Sequence, residues 1–545
     1  MMGDWSQDPD GRRFAGRGLT IPAVLDAQAA ERPDQPVLVV DDEPLTYRRL
    51  QEDSLAAAAA LGELGVAEGD RVALFMGTSP EWVTLWFAAS RLGAVAVPVN
   101  TAFRGDFLAR QLADAGPVAV AVDAGLEERI AGVAGDVPTL RTVLVRSDGT
   151  ATQAPTPGKL ERVTLEQLAS HGSVAPVVED RSAWDRPTAI FYTSGTTGPS
   201  KGAVATHHYL LSAAATMVDL WRLQPEEVVY APLPLFHLSA VGSVLGPMLA
   251  GGTGVLEKGF SVQSTWDQVR RYRAAGMALA GAMVTMLWNL PPDERDGELP
   301  IRFLSAAPVP KELYGPIQER WGCRIVTCYG LSEAFPLTVA GVDDDNPPGA
   351  SGHPNPDFEV QVVDNEDRAV APGATGEIVC RPRRPHVMFE GYDRQPEATL
   401  DQLGNLWFHT GDLGRQDEHG NLTYVDRKKD AMRRRGENIS SFEVEQALVR
   451  YPAVAEVAAI GHPSDLGEDD VMVCVVATDG ADFDVVAFMD FCCDRLPYFA
   501  VPRYVDVVDE LPKNAVGRVL KHELRARGLA DSVWDREEAG YVVRR

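Results

Sequence analysis

The segment from Tyr192 to Gly202 reads Tyr-Thr-Ser-Gly-Thr-Thr-Gly-Pro-Ser-Lys-Gly and follows the apolar run Ala189-Ile190-Phe191. The run predicts a buried strand. Gly195, Gly198 and Gly202 let the backbone turn sharply and approach a ligand closely. Thr193, Ser194, Thr196, Thr197 and Ser200 add hydroxyl groups, and Lys201 adds a point charge. A turn rich in N–H and O–H donors beside a lysine suits a polyanion, most simply the phosphates of a nucleotide. The spacing is G-x-x-G-x-x-K-G, not the G-x-x-x-x-G-K-[ST] of a Walker loop. A flexible linker would need neither the preceding strand nor the closing lysine.

Other stretches carry groups able to do chemistry. Tyr329-Gly330-Leu331-Ser332-Glu333 offers a phenol, a hydroxyl and a carboxylate, and Trp407-Phe408-His409-Thr410-Gly411-Asp412 ends on a second carboxylate. Taken singly, Glu333 reads as a helix-start acid, Asp412 as a turn residue and Tyr329 as core. His237, beside an apolar run, reads alone as a satisfied core histidine. His207 and His208 lack metal-ligand spacing and read as structural, and Asp343 to Asp345 read as a solvated loop. Gly251-Gly-Thr-Gly254 is a poor dinucleotide fingerprint, which excludes a Rossmann dehydrogenase.

The elements that must position these groups alternate along the chain. Strands are predicted at Pro36 to Val40, Arg71 to Met76, Val95 to Val99 and Val118 to Val122, with helices at Tyr47 to Leu64, Trp82 to Leu92 and Phe107 to Ala115. This order favours parallel sheets covered by helices. Residues 146–160 read as a loop, and Leu422 to Val425 as a strand. The pattern changes near residue 427, where a charge run begins that reads as a solvated face or a hinge. Beyond it, helices at Ser441 to Arg450 and Val485 to Cys493 alternate with strands at Val454 to Ile460, Val471 to Val476 and Tyr504 to Val508. The expected fold class is therefore α/β: a large multi-sheet N-terminal domain (1–426) rich in parallel strands, the charge run at 427–430 that could be a hinge, and a small α+β C-terminal domain (431–545).

A chain of 545 residues requires more than one core. Its 45% apolar and 24% charged residues are those of a soluble globular protein, and a formal charge of −27 argues against a nucleic-acid binder. None of the six cysteines forms a C-x-x-C pair, so reduced thiols in a cytoplasm are expected. The polar N-terminus, Met1 to Gly18, lacks the apolar core of a signal peptide. The uncharged stretches Val228 to Leu256 and Ala274 to Pro292 contain prolines and glycines and are expected in the buried core, not in a membrane.

Together and in this order, the motifs resemble those of the adenylate-forming superfamily over about Thr20 to Arg527. That superfamily includes acyl-CoA synthetases, peptide-synthetase adenylation domains and beetle luciferases. The resemblance implies a large domain that binds ATP and an acid, and a small domain that rotates between an adenylation pose and a thioester-forming pose. It implies that Thr193 to Lys201, including Ser194, Gly195, Thr196, Thr197 and Gly198, order the β- and γ-phosphates. The backbone of Ser305, Ala306, Ala307 and Pro308 would line the adenine. Tyr329 would pack on adenine beside Gly330, Ser332 would contact the α-phosphate, and Glu333 with Thr193 would hold Mg²⁺. Asp412 and Arg427 would bind the ribose, Lys429 would be the hinge, and Arg435, Gly436 and Glu437 would line the coenzyme A tunnel.

The same resemblance places His237, Ala280, Gly281, Ser305 and Leu331 in the acid pocket. Ala280, Gly281 and Ala282 suggest open volume, and Trp288 and Phe335 suggest walls. Where the superfamily usually has a Gly-Lys pair, this chain has Gly517-Arg518. Arginine keeps the charge but is longer, planar and forked, so the exchange is not conservative at a tight site. Arg518 could do the lysine's work, Lys521 or Lys513 could substitute, or the acid partner could differ from an ordinary carboxylate. The expected reaction is adenylation of a small or medium carboxylic acid by ATP, with Lys201, Thr193, Glu333 and Arg518 acting, and transfer to coenzyme A. The stretch 433–440 is similar to the branch that includes carnitine and crotonobetaine ligases, and no carrier-protein domain is expected to follow. Alternative readings are transfer to an amine or carrier protein, activation of an inorganic acid such as nitrite, and a non-catalytic nucleotide-binding protein. The chain is expected to be a monomer or homodimer.

Overall fold

The computed structural model describes residues 19–147, 160–171, 180–193, 200–428, 432–435, 437–439, 441–464, 467–478, 480, 483–512, 519, 521–530 and 532–543. Two large sheets carry the first half of the chain. The nine-stranded sheet runs, edge to edge, His353–Pro354, Ala334–Ala340, Arg324–Leu331, Phe303–Ala307, Gly276–Ala280, Val228–Ala231, Thr253–Leu256, Pro36–Val40 and Glu43–Thr46. Its middle strands are parallel, and its edges are closed by antiparallel pairs. The seven-stranded sheet runs Glu161–Thr164, Thr142–Arg146, Ala119–Asp123, Arg71–Phe75, Val95–Pro98, Pro187–Thr193 and Lys201–Thr206. All its pairs are parallel except the last, an antiparallel hairpin.

Strand periodicity divides the cores. Val72 and Leu74 face one hydrophobic cluster, while Ala73 and Phe75 of the same strand face another. This is the period-2 alternation of a strand buried on both faces. The largest cluster takes one face of each large sheet together with the helices Tyr47–Glu63, Pro80–Arg91, His207–Trp221 and Leu238–Ala250. The two uncharged stretches resolve into strands and helices of the buried cores, the first mainly of this cluster and the second mainly of another on Met277, Leu279, Val284 and Leu287. Among the described residues no helix is long and apolar enough to cross a membrane.

A third, antiparallel sheet follows, built from Phe358–Val363, Thr375–Pro382, Trp407–Gln416, Leu403–Gly404 and Leu422–Arg427. After it the chain forms a smaller α+β unit. Its four-stranded sheet runs Val454–Pro463, Asp469–Ala477, Tyr504–Val507 and Trp534–Asp535, with a two-stranded ribbon, Met432–Arg434 and Glu437–Ile439. The helices Ser441–Leu448 and Val485–Arg495 form here, as the sequence predicts. The α/β class, the parallel-rich sheets of the larger part and the smaller C-terminal unit all match expectation. Residues 148–159, within the expected loop, and Lys429 at the expected hinge lie outside the described residues.

Candidate active site

The strands Pro187–Thr193 and Lys201–Thr206 pair with Thr193 opposite Lys201. Ser200 Oγ donates to the Thr193 carbonyl at 2.6 Å and closes the base of the hairpin. Ser194 to Gly198 lie outside the described residues. The hairpin leads directly into the helix His207–Trp221, whose N-cap Thr206 accepts the Tyr209 N–H at 3.1 Å. Tyr209 OH in turn donates to the Ser332 carbonyl at 3.0 Å, which ties the Tyr329–Glu333 turn to the helix behind the hairpin. Gly330 is required in that turn, because a Cβ there would lie 2.8 Å from the Ala334 carbonyl oxygen.

Segment 390–393 runs alongside Lys201–Thr206, with Val204 N–H on Gly391 O at 3.1 Å and Asp393 N–H on Gly202 O at 2.8 Å. That pairing sets Tyr392 beside the lysine. Lys201 Nζ lies 4.8 Å from the Tyr392 ring centroid, and Tyr392 OH donates to Glu333 Oε1 at 2.6 Å. Glu333 is only 5% exposed. Burial pushes the Tyr392 phenol far up, and the Glu333 charge beside it adds to the shift, so it stays a donor. Tyr329 OH donates to Asp412 Oδ2 at 2.8 Å, and Asp412 is 7% exposed. Asp412 stands opposite Arg427 in the strand register, and the Arg427 side chain lies outside the described residues.

Behind Asp412 a buried polar knot forms around Glu377. Its carboxylate takes Lys428 Nζ at 2.6 Å, lies 3.1 Å from His409 Nδ1 and accepts the Gly411 N–H at 3.2 Å. Burial alone would push the Glu377 carboxyl up, but the bonds from Lys428 and His409 outweigh it and hold it below the usual range.

These groups open on one cavity of about 1380 Å³. Thr193, Lys201, Ser305, Ala306, Ala307, Pro308, Tyr329, Gly330, Leu331, Ser332, Glu333 and Asp412 line it from the larger part, with His237 and Ala280. Arg435 and Glu437 line it from the smaller unit, and His237 Nε2 lies 3.0 Å from Glu437 Oε2. Gly436 lies outside the described residues. One side of the cavity is walled by the mostly apolar residues Ala278, Ala280, Ala282, Met283, Met286 and Phe335. Burial pushes the neighbouring Cys328 thiol up to about 12, so it remains an unreactive thiol.

Two sequence expectations for the pocket are corrected. Gly281 does not line the cavity: a Cβ there would lie 2.0 Å from the Pro308 carbonyl oxygen, so its missing side chain serves close backbone packing and not open volume. Trp288 is no wall of the pocket; it packs edge-on against Trp321, 6.2 Å between ring centroids, on the far side of the sheet. Arg518 and Lys513 lie outside the described residues. Lys521 is held within the smaller unit, 2.7 Å from both Ser441 Oγ and Glu445 Oε1, and does not reach the cavity in this arrangement.

Sequence reasoning missed Tyr392, Glu377 and Glu443. Glu443 Oε1 accepts the Ser200 backbone N–H at 2.6 Å, across the seam between the two parts. Nothing local marks these residues, since their partners lie 59, 51 and 243 positions away. Asp106 strengthens the same seam through Arg450 at 2.5 Å, while Phe103 and Phe107 pack on the core of the smaller unit.

Lys201 beside the buried Glu333 and Asp412, and a continuous cavity lined from both parts of the chain, are features of an enzyme that activates acids with nucleotides. The model of the AMP-binding enzyme family matches residues 25–392, and that of the AMP-binding enzyme C-terminal domain matches residues 443–518. The chain belongs to the AMP-binding enzyme family. It is 31% identical over 540 residues to a long-chain-fatty-acid–CoA ligase of Escherichia coli O157:H7, covering 93% of this chain and 95% of that protein. It is 28% identical over 492 residues to a crotonobetaine/carnitine–CoA ligase of Salmonella agona (strain SL483), covering 88% and 93%. The fold matches that of o-succinylbenzoate CoA synthetase from Bacillus subtilis, a double mutant bound to a product analogue, OSB-NCoA, with a TM-score of 0.80 at 23% identity over 94% of this chain and 99% of that one. Against the same synthetase with its acyl-adenylate intermediate, over 94% and 99% at 23% identity, the TM-score is 0.66.

Proposed function

We propose that this protein is an ATP-dependent acid–coenzyme A ligase. The observation that carries the proposal is the single cavity, which runs from Thr193, Lys201, Glu333 and Asp412 past the apolar acid side to Arg435 and Glu437. Such continuity suits two reactions performed in sequence on one acyl group. In the first, a carboxylate oxygen attacks the α-phosphorus of ATP, and the bond to the bridging oxygen of pyrophosphate breaks. In the second, a thiol adds to the acyl carbon and AMP leaves.

The chain's own contribution is positioning and charge. Lys201 sits where it can neutralise the phosphates, and Asp412, held by Tyr329, can accept the ribose hydroxyls. The apolar wall of Ala278, Ala280, Met283 and Phe335 would hold the acid by shape. The donor set also fits Mg²⁺. Glu333 offers one buried carboxylate fixed by Tyr392, and Thr193 offers a hydroxyl. Among the described residues no cluster of three or more metal-ligating side chains occurs, and Mg²⁺ is commonly bound by one or two carboxylates plus substrate phosphates. When bound there, the ion would supply charge neutralisation on the phosphates.

The two family matches, which part between residues 392 and 443, support a division into residues 1–426, a hinge at 427–430 around Lys429, and a mobile unit 431–545. With Lys521 committed to Ser441 and Glu445, Arg518 is the cation we assign to the adenylation pose. The six cysteines are all unpaired, which supports a reducing compartment such as the cytoplasm.

A screen of carboxylic acids for pyrophosphate release, with and without coenzyme A, tests the function. The expected result is an acid that releases pyrophosphate and AMP and forms a thioester only when coenzyme A is present. Turnover that ignores coenzyme A and responds to an amine would replace this reading with an amide synthetase.

A further inference from the structure

Three segments of the smaller unit line the cavity: the ribbon at Arg433 and Arg435, the turn at Glu468 and Asp469, and the run Tyr498 to Ala500. Each carries, within or directly after it, a residue that turns away into one buried polar cluster. Side chains alternate along the ribbon, so Met432 and Arg434 are buried while Arg433 and Arg435 are exposed. The Arg434 guanidinium, 4% exposed, donates to the Val501 carbonyl at 3.0 Å and lies 2.9 Å from Asp470 Oδ1. The other oxygen of the buried Asp470 takes Arg503 at 2.9 Å. Arg536, also buried, donates to the same Val501 carbonyl at 3.2 Å and to that of Pro502 at 3.1 Å. Arg536 follows the strand Trp534–Asp535, which pairs with Tyr504–Val507, and Asp535 holds Arg503 at 3.2 Å.

Two guanidinium groups on one carbonyl are not what stability alone favours. Burial pulls the Arg434 pKa down to about 10; Asp470 opposes this, and the neighbouring Arg536 charge adds to it. Arg434 Nε is buried with no partner among the described residues. Adjacent like charges and an unpaired buried donor both cost free energy. What the cluster supplies is geometry. A rigid planar fork fixes a carbonyl and a carboxylate relative to each other, and with them the cavity segments that carry them. The ribbon needs such support. Arg435 has φ +55°, in the left-handed region that a non-glycine residue keeps only when its surroundings hold it. The Arg435 N–H donates to the Glu468 carboxylate, and the Arg433 N–H donates to Asp469 Oδ2 at 2.9 Å. The Arg435 guanidinium lies 5.7 Å from the centre of the Tyr498 ring.

We propose that Arg434 and Arg536, joined through the Val501 carbonyl and backed by Asp470, are positioning residues for the second half-reaction. They hold Arg435, Glu437 and Tyr498 where coenzyme A is taken up. The C-terminal segment 534–536 thereby serves thioester formation and not adenylation. The proposal rests on the reading of the Arg435 and Glu437 side of the cavity as the coenzyme A side. Arg434 and Arg536 do not line the cavity themselves, so their contribution passes through the residues they hold.

Two rates measured on the full chain with one acid test this: ATP–pyrophosphate exchange for the first half-reaction, and coenzyme A-dependent thioester formation for the second. In Arg434→Gln, which leaves Asp470 paired with Arg503, kcat/KM for coenzyme A should fall by roughly 10–100-fold, the range for a displaced reacting geometry. Exchange should keep the wild-type rate. It is also the folding control, because Arg518 of the same unit is assigned to adenylation. Arg434→Lys keeps the charge but not the fork and should lose nearly as much. Full rescue by lysine would overturn the proposal in favour of plain attraction of the coenzyme A phosphates. Arg536→Gln should show the same selective loss, and the double variant should lose less than the product of the two, because both act on one carbonyl. Parallel loss of both rates would make the cluster structural and overturn the proposal, as would unchanged thioester formation in both single variants. A wild type that releases pyrophosphate but forms no thioester would overturn the ligase reading, and this proposal with it.

Discussion

On the side of the cavity we propose for the nucleotide, the ionisable side chains are fixed by partners: Asp412 by Tyr329, Glu333 by Tyr392, and Lys201 above the Tyr392 ring. Across from them, the side we propose for the acid is made of Ala278, Ala280, Ala282, Met283, Met286 and Phe335. One side is held by directional bonds to buried charges; the other is defined by the volume its side chains leave. Charges buried at fixed positions act strongly on a reacting phosphate and tolerate little change. An apolar wall discriminates by fit, which is worth less per contact and is easily reshaped.

The largest effect is therefore expected on the nucleotide side. Lys201→Ala should lower ATP–pyrophosphate exchange by roughly 10²–10³-fold, the range for loss of one preorganised charge partner. A loss below tenfold would place the hairpin outside the chemistry. On the acid side, Ala280→Phe should raise KM for the acid by about 10–100-fold while KM for ATP stays the same, because the new ring takes acid volume only. A matching rise in KM for ATP would merge the two sides.

Tyr392→Phe cuts into the same contrast more finely. It removes the hydroxyl from Glu333 and leaves a buried carboxylate with one donor fewer, so kcat/KM should fall by about tenfold and stability by about 1–3 kcal/mol. A loss of stability alone, measured by denaturant unfolding, would make Tyr392 structural. The smallest effect lies in the scaffold behind the hairpin. His207 Nδ1 accepts the Ile21 N–H at 3.2 Å, and burial lowers its pKa from 6.5 to about 3. Between those values the unfolded chain binds a proton that the folded chain refuses. Stability is thus complete above about pH 6.5 and falls as pH drops toward 3, by up to about 1.4 kcal/mol per pH unit from this group. His207→Gln should flatten that slope in melts between pH 5 and 7.

The same contrast explains how much could be read from the sequence. Tyr329, Glu333, Asp412 and the Thr193 to Lys201 hairpin sit in short motifs whose glycines and hydroxyls carry local backbone demands, and those demands are visible residue by residue. The β-α alternation of residues 36–122 was legible for a related reason, since period and turn residues act locally. Tyr392 was not, because its place beside Lys201 depends on segment 390–393 pairing with a strand nearly two hundred residues earlier. Glu443 looks like any helix-start acid until packing buries it. On the acid side, Gly281 suggested space and Trp288 a wall, yet one admits the Pro308 carbonyl and the other packs on Trp321. Volume is a property of neighbours, and a sequence does not say which neighbours a small residue has.

In the proposed reaction a carboxylate oxygen attacks the α-phosphorus of ATP within this cavity. With the acid identified by pyrophosphate release and labelled with ¹⁸O in its carboxylate, mass spectrometry of the products tests it directly. One labelled oxygen is expected in AMP and none in pyrophosphate. Label in pyrophosphate or inorganic phosphate, or formation of ADP in place of AMP, would contradict it.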